Sequence, residues 1–100
     1  MNEITTNRLK HLLDKNPDIN LIDVRTPIEF AAAHIDGASN YPLEDLHNFN
    51  LPKESKYYLS CRSGNRSEQA YNLLQKMGYS NLVNVKGGIL AWEGETISTL

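Results

Sequence analysis

The chain's only cysteine, Cys61, opens the run Cys61-Arg62-Ser63-Gly64-Asn65-Arg66-Ser67. An apolar segment, Tyr57-Tyr58-Leu59, leads into it, and a helical pattern from Arg66 to Met77 leads away. A thiol between a buried strand and a helix start meets unpaired backbone N–H groups and the positive end of a helix dipole. Arg62 and Arg66 add positive charge in the same turn, so thiolate is favoured over thiol. A lone cysteine is more commonly a small packing residue. Cys61, however, ends the apolar run, and Arg62, Ser63, Gly64 and Asn65 are poor company for a packing side chain. A reactive nucleophile is the better reading.

The elements that must hold this loop can be read along the chain. Thr5 and Thr6 can cap a helix whose apolar positions Leu9, Leu12 and Leu13 follow helical spacing, and Asn16-Pro17-Asp18 ends it. Ile19 to Val24 reads as a strand. Thr26-Pro27-Ile28-Glu29 is a helix start with a threonine cap, proline at the first helical position and glutamate closing a capping box. That helix is expected to run to about His34. Asp36-Gly37 turns into a short extended segment, Ala38 to Tyr41, followed by a helical turn around Leu43 to Leu46. Tyr57 to Ser60 is the next strand. The helix after Cys61 places Ala70, Leu73, Leu74 and Met77 on one face, with Gly78 terminating it. Leu82 to Val85 is another strand, and Gly87-Gly88 turns into a last short helix.

Strands alternating with helices predict an α/β fold with a mainly parallel sheet, in one domain over residues 1–100. In such sheets ligands bind beyond the carboxyl ends of the strands. Cys61, Arg25 and Gly87-Gly88 all fall at such ends, so three segments can converge on one pocket. Net charge is only −2 with both signs interspersed, which points away from nucleic-acid and membrane partners. One cysteine allows no internal disulfide and no Cys-x-x-Cys pair for zinc or dithiol chemistry. Met1 to Lys15 lacks the apolar core of a signal peptide, and no stretch is long enough to span a membrane. A cytoplasmic protein without a metal is expected.

The motifs together resemble the single-domain rhodaneses, the sulfurtransferases of the rhodanese homology superfamily. The matching pieces are Asp23-Val24-Arg25 with Glu29, His34-Ile35-Asp36-Gly37-Ala38, the Cys61–Ser67 loop, and Gly87-Gly88-Ile89-Leu90-Ala91-Trp92. The resemblance implies a rhodanese-like three-layer fold, with a five-stranded, mainly parallel sheet flanked by helices and a loop curling around the cysteine. It implies sulfur transfer without an organic cofactor or metal. Cys61 would attack the outer sulfur of thiosulfate, release sulfite, and hand the sulfur from its persulfide to a thiophilic acceptor. Backbone N–H groups of Arg62, Ser63, Gly64, Asn65, Arg66 and Ser67 would form an anion nest, with Gly64 at a position needing positive φ or close backbone approach. Arg62 and Arg66 are candidates for the sulfonate oxygens, with loop bracing the alternative for Arg66.

Outside the loop, Asp23, Arg25 and Glu29 are expected to be structural. Arg25 and Glu29 are expected to pair with each other, and Asp23 to anchor nearby backbone. His34 is expected to serve the last carbonyls of its helix. Leu90 and Trp92 are expected in the core. The rival enzyme is a phosphatase or arsenate reductase on the same fold. Those loops carry a histidine before the cysteine and five residues between cysteine and arginine. Here Ser60 precedes Cys61 and four residues separate it from Arg66. The other rivals are a non-catalytic rhodanese-like interaction module, whose inactive members typically replace the cysteine, and a persulfide relay with a partner protein.

Overall fold

The computed structural model describes residues 1–100. In chain order the elements are β1 (Glu3–Thr5), α1 (Thr6–Lys15), β2 (Asn20–Asp23), α2 (Pro27–Ala32), β3 (Ser39–Asn40), a 3-10 helix (Leu43–Asn48), β4 (Tyr57–Ser60), α3 (Asn65–Lys76), β5 (Leu82–Lys86) and α4 (Gly88–Ala91). The strands form one sheet in the order β1-β5-β4-β2-β3, and every pairing is parallel. This is the expected α/β architecture.

Alternation along the strands divides the apolar residues between two faces. Ile22, Tyr57, Leu59, Cys61 and Leu82 share a core with Ala70 and Leu74 of α3 and Leu46 of the 3-10 helix. Leu21, Tyr58, Val83 and Val85 pack instead with Leu9 of α1, and Trp92 lies against them. All four residues of β4 are buried, as a strand covered on both faces requires. Cys61 is therefore the last residue of the α3-side row, carried one step past the end of the central strand.

Local signals set the helix ends. Thr5 accepts a hydrogen bond from the Arg8 amide (3.2 Å) and caps α1. At α2 the capping box is complete, with Thr26 Oγ1 accepting from Glu29 N and Glu29 Oε1 from Thr26 N. α3 ends where Gly78 N donates to Gln75 O and Tyr79 N to Leu74 O, a Schellman motif.

Two elements depart from the sequence expectation. β1 was not expected from the residues, because three residues with only Ile4 half-buried carry no usable period. α2 stops at Ala32, not near His34. Ala33 turns extended, and His34 exchanges both backbone hydrogen bonds with Ile97 (2.9 and 2.8 Å), so the C-terminal segment pairs where another helical turn would lie. His34 still serves its helix as expected, with Nδ1 donating to Phe30 O at 2.7 Å. Trp92 packs against the core, whereas Leu90 is 61% exposed and corrects the expectation of a core residue. No helix is long and apolar enough to cross a membrane.

Candidate active site

After β2 the chain continues to β3 on one side of it, and after β4 to β5 on the other. Their carboxyl ends thus flank the crevice where open α/β sheets bind ligands. Cys61 follows β4 there, and the start of α2 follows β2.

The Cys61 side chain is 1% exposed and its sulfur sits inside the curled loop. Gly64 N donates to Sγ at 3.0 Å, and the thiol donates to Ser67 Oγ at 3.4 Å. The Ser67 hydroxyl in turn donates to Gly64 O at 3.1 Å. On ionisation that hydroxyl can rotate and donate to the sulfur, because a hydroxyl hydrogen turns to suit its strongest acceptor. Burial pushes the Cys61 thiol up, yet the Ser67 hydroxyl and the amides of Ser67, Gly64 and Ser63 outweigh it and leave the thiol below its ordinary value. The thiolate is thus held by hydrogen bonds. Of the arginines expected to supply that stabilisation, Arg66 is paired with Glu29 and still feels the Cys61 charge, while Arg62 is exposed.

Ser67→Ala removes the side-chain donor and leaves the amides. The thiol should then ionise at higher pH, so the midpoint of its alkylation rate against pH shifts upward. An unmoved midpoint would place the stabilisation in the amides alone.

Gly64 caps α3 with φ of 105°, a left-handed conformation that turns its amide toward the sulfur. The loop's outward carbonyls are held from behind. Ile89 N donates to Cys61 O (2.9 Å) and Leu90 N to Arg62 O (3.0 Å), so α4 fixes the loop through its first free amides. This approach requires Gly88, where an added Cβ would lie 2.4 Å from Cys61 O and 2.6 Å from Arg62 O. The Gly87-Gly88 motif was readable as a tight turn near the pocket rim. Its role as the loop's rear support was not, since that depends on a contact across 27 residues between Cys61 and Gly88.

The structural residues are distributed differently from expectation. Arg25 does not pair with Glu29. Its side chain folds back on Asp23, with Nε 3.0 Å from Oδ1 and Nη2 2.7 Å from Oδ2, and Nη2 also donates to Ala33 O. Both residues are buried and their charges are mutually satisfied. Asp23 also accepts from Arg25 N, the backbone anchoring expected of it. Glu29 instead binds Arg66 in a bidentate pair, 2.6 Å from Nη1 and 2.9 Å from Nη2. The reason is positional: the capping box turns the Glu29 carboxylate toward the N-terminus of α2, which faces the loop. The hydrogen bond from Arg66 is the chief cause that holds the Glu29 carboxyl down at about 2. This pair therefore contributes fully above the usual carboxylate range near 4.5 and is lost only as pH falls through about 2. Arg62 and Ser63 are exposed at the loop's outer edge, as is Asn65.

A cleft of about 210 Å³ opens beside the loop, lined by Val24, Thr26, Pro42, Leu43, Glu44 and Arg66. A larger one, about 570 Å³, lies beside β1 and α1 and contains neither a cysteine nor any loop residue. A further cleft of about 320 Å³ lies on the other side of the loop's residues Ser63, Gly64 and Asn65, with Lys86 and Gly87 in its wall, and Cys61 itself lines none of these clefts. A nucleophile this enclosed can accept only a terminal atom of its substrate. There is no group of side chains arranged to hold a metal ion.

Known proteins resemble this chain in sequence and in fold. The sequence profile of the rhodanese-like domain matches residues 5–95. A sulfurtransferase of Allochromatium vinosum is 37% identical over 94 residues, covering 92% of this chain and 88% of that protein. The putative sulfur carrier protein YrkF of Bacillus subtilis is 33% identical over 94% of this chain, which spans about half (52%) of that protein. The crystal structure of a rhodanese-like domain protein from Staphylococcus aureus superposes with a TM-score of 0.80 at 37% identity, covering 95% of this chain and 96% of that one. On the extent of the profile match and the coverage of these relatives, this chain belongs to the rhodanese-like domain family.

Proposed function

We propose that the protein is a sulfurtransferase that carries sulfane sulfur as a persulfide on Cys61. The observation that carries this reading is the buried sulfur held by the Gly64 amide and the Ser67 hydroxyl in a chain of this family. The thiolate attacks the outer sulfur of thiosulfate or a related donor, and the sulfur–sulfur bond breaks with its electron pair leaving on sulfite. Cys61 persulfide remains, to be discharged by a thiophilic acceptor. The inward amides that stabilise the thiolate can also receive the charge of the terminal sulfur. The exposure of Arg62, Ser63 and Asn65 at the outer edge supports their meeting the rest of the donor. The named sulfur carrier among the relatives favours a protein partner at one end of the transfer. A thiol that must stay reduced suits a reducing compartment such as the cytoplasm.

The phosphatase reading is disfavoured by the six-residue turn from Cys61 to Arg66 and by the engagement of Arg66 with Glu29. A non-catalytic module has no need of a thiol with a lowered pKa.

The test is the intact mass of freshly reduced protein after brief exposure to thiosulfate. The mass should rise by one sulfur atom, and cyanide should restore it and yield thiocyanate. With one cysteine the adduct has one site. No adduct from any sulfane donor, with a titratable thiol, defeats the reading; an adduct from other donors only reassigns the donor.

A further inference from the structure

The largest cleft on the molecule is remote from Cys61. Its walls, about 570 Å³ apart in volume from the loop's own clefts, include Lys56 just before β4, Asn81 just before β5, and Arg8 and Leu12 of α1. A cleft of about 320 Å³ shares Arg8 and Leu12 and continues along α1 past His11 to Lys15. The two form one groove at the amino ends of the strands, whereas Cys61 follows the carboxyl end of β4. The floor of the groove is the margin of the core that α1 covers. Tyr58 and Val83, 7% and 8% exposed, are the most exposed of that core's buried residues, and Ile4 and Leu12 lie half-buried beside them.

The rim is basic. Arg8, Lys15 and Lys56 line the groove with a single carboxylate, Glu3, in a chain whose net charge is −2. None of the three cations is in an ion pair. Lys56 Nζ lies 5.3 Å from the centre of the Tyr58 ring, a contact that keeps its charge at the edge of the groove. Arg8 stands in the first turn of α1, which holds no acidic residue, so its charge opposes the helix dipole. Helix stability therefore does not account for it. Arg8, Leu12 and Lys15 recur at helical spacing and share one face of α1.

We propose that this groove is a docking surface for a protein partner that lays an acidic segment with interspersed apolar residues along α1. Charge complementarity selects the segment: its carboxylates meet Arg8, Lys15 and Lys56, and its apolar side chains cover Ile4, Leu12 and Tyr58. The apolar floor distinguishes the groove from a nucleic-acid surface, where phosphate contacts dominate affinity. A partner held at the amino ends of the strands leaves the Cys61 loop open to donor and acceptor. The surface stands whether or not the thiol carries sulfur.

The test titrates the full, isotopically labelled chain with a peptide of about eleven residues, three helical turns, built from repeated Glu-Leu-Leu-Glu. Backbone amide shifts in nuclear magnetic resonance should move and saturate around Arg8, Leu12, Lys15 and Lys56, with the Cys61–Ser67 loop unmoved. Arg8→Gln/Lys56→Gln should weaken binding by about ten-fold, the loss of two exposed charge contacts. Lys10→Gln/Lys76→Gln makes the same change in net charge away from the groove and should weaken it by less than about two-fold. All four side chains are exposed, so both variants keep the fold. A peptide with serine in place of leucine should bind at least about ten-fold more weakly, because the floor is apolar. No saturable binding, shifts gathered elsewhere, or equal losses in the two double variants would overturn the proposal. So would undiminished binding of the serine peptide, which is bare charge attraction, or tighter binding of a single-stranded oligonucleotide, which assigns the rim to nucleic acid.

Discussion

Cys61→Ser should lower sulfur transfer by at least about 10⁴-fold, to the background of the assay. The fold should survive. The hydroxyl that replaces the thiol finds the same partners, the Gly64 amide and the Ser67 hydroxyl, so no buried polar group is orphaned. What disappears is the nucleophile. A serine hydroxyl does not ionise near neutral pH, and four partners that draw a thiol below its ordinary value cannot bring an alcohol into that range. Thiocyanate formation from thiosulfate and cyanide, read beside thermal denaturation, separates lost chemistry from lost fold. Activity near that of wild type in a folded serine variant would remove Cys61 from the mechanism.

The sequence was most legible where chemistry and local structure coincide. Tyr57–Ser60 has the bounds expected of it because a strand buried on both faces is an uninterrupted apolar run ended by polar residues. The Thr26-Pro27-Ile28-Glu29 start is equally local, since every capping-box bond lies within four residues. The place of Gly64 in the loop calls for positive φ or close backbone approach, and its φ is positive. The fold followed from this alternation of elements, with the fifth strand supplied by family resemblance and not by the three residues that form it. What stayed hidden was partner choice among charges. Four ionisable residues, Asp23, Arg25, Glu29 and Arg66, can pair in several ways, and the expected pair of Arg25 with Glu29 has rivals in Asp23, two residues from Arg25, and in Arg66, distant in sequence. The structure selects by direction: Arg25 curls back over the end of its own strand, while the cap turns Glu29 toward α3. Leu90 illustrates the same limit. Its hydrophobicity predicted burial, but the part of Leu90 the site uses is its backbone amide.

Gly88→Ala should be among the most damaging single substitutions in this chain, although it adds one methyl group. Gly88 has φ of 57°, where an alanine is strained by about 1–2 kcal/mol regardless of its surroundings. The added Cβ would also lie 2.4 Å from Cys61 O and 2.6 Å from Arg62 O, both backbone atoms with no rotamer to yield. Relief requires α4 to withdraw, lengthening the bonds from Ile89 N and Leu90 N that hold those carbonyls outward. The loop's inward amides then lose their aim at the sulfur. Total destabilisation should reach about 3–5 kcal/mol, a large share of what a domain of this size possesses. Gly37→Ala is the matched control. It has φ of 92° but its Cβ would meet nothing closer than Pro17 O at 3.9 Å, so it carries strain without collision. Thermal denaturation of the two variants isolates the collision, and alkylation of Cys61 against pH reports the loop. The Gly88 variant should melt well below the Gly37 variant, and in whatever remains folded its thiol should ionise at higher pH. If the two melt together and both keep the wild-type thiol, α4 is not what aims the loop at the sulfur.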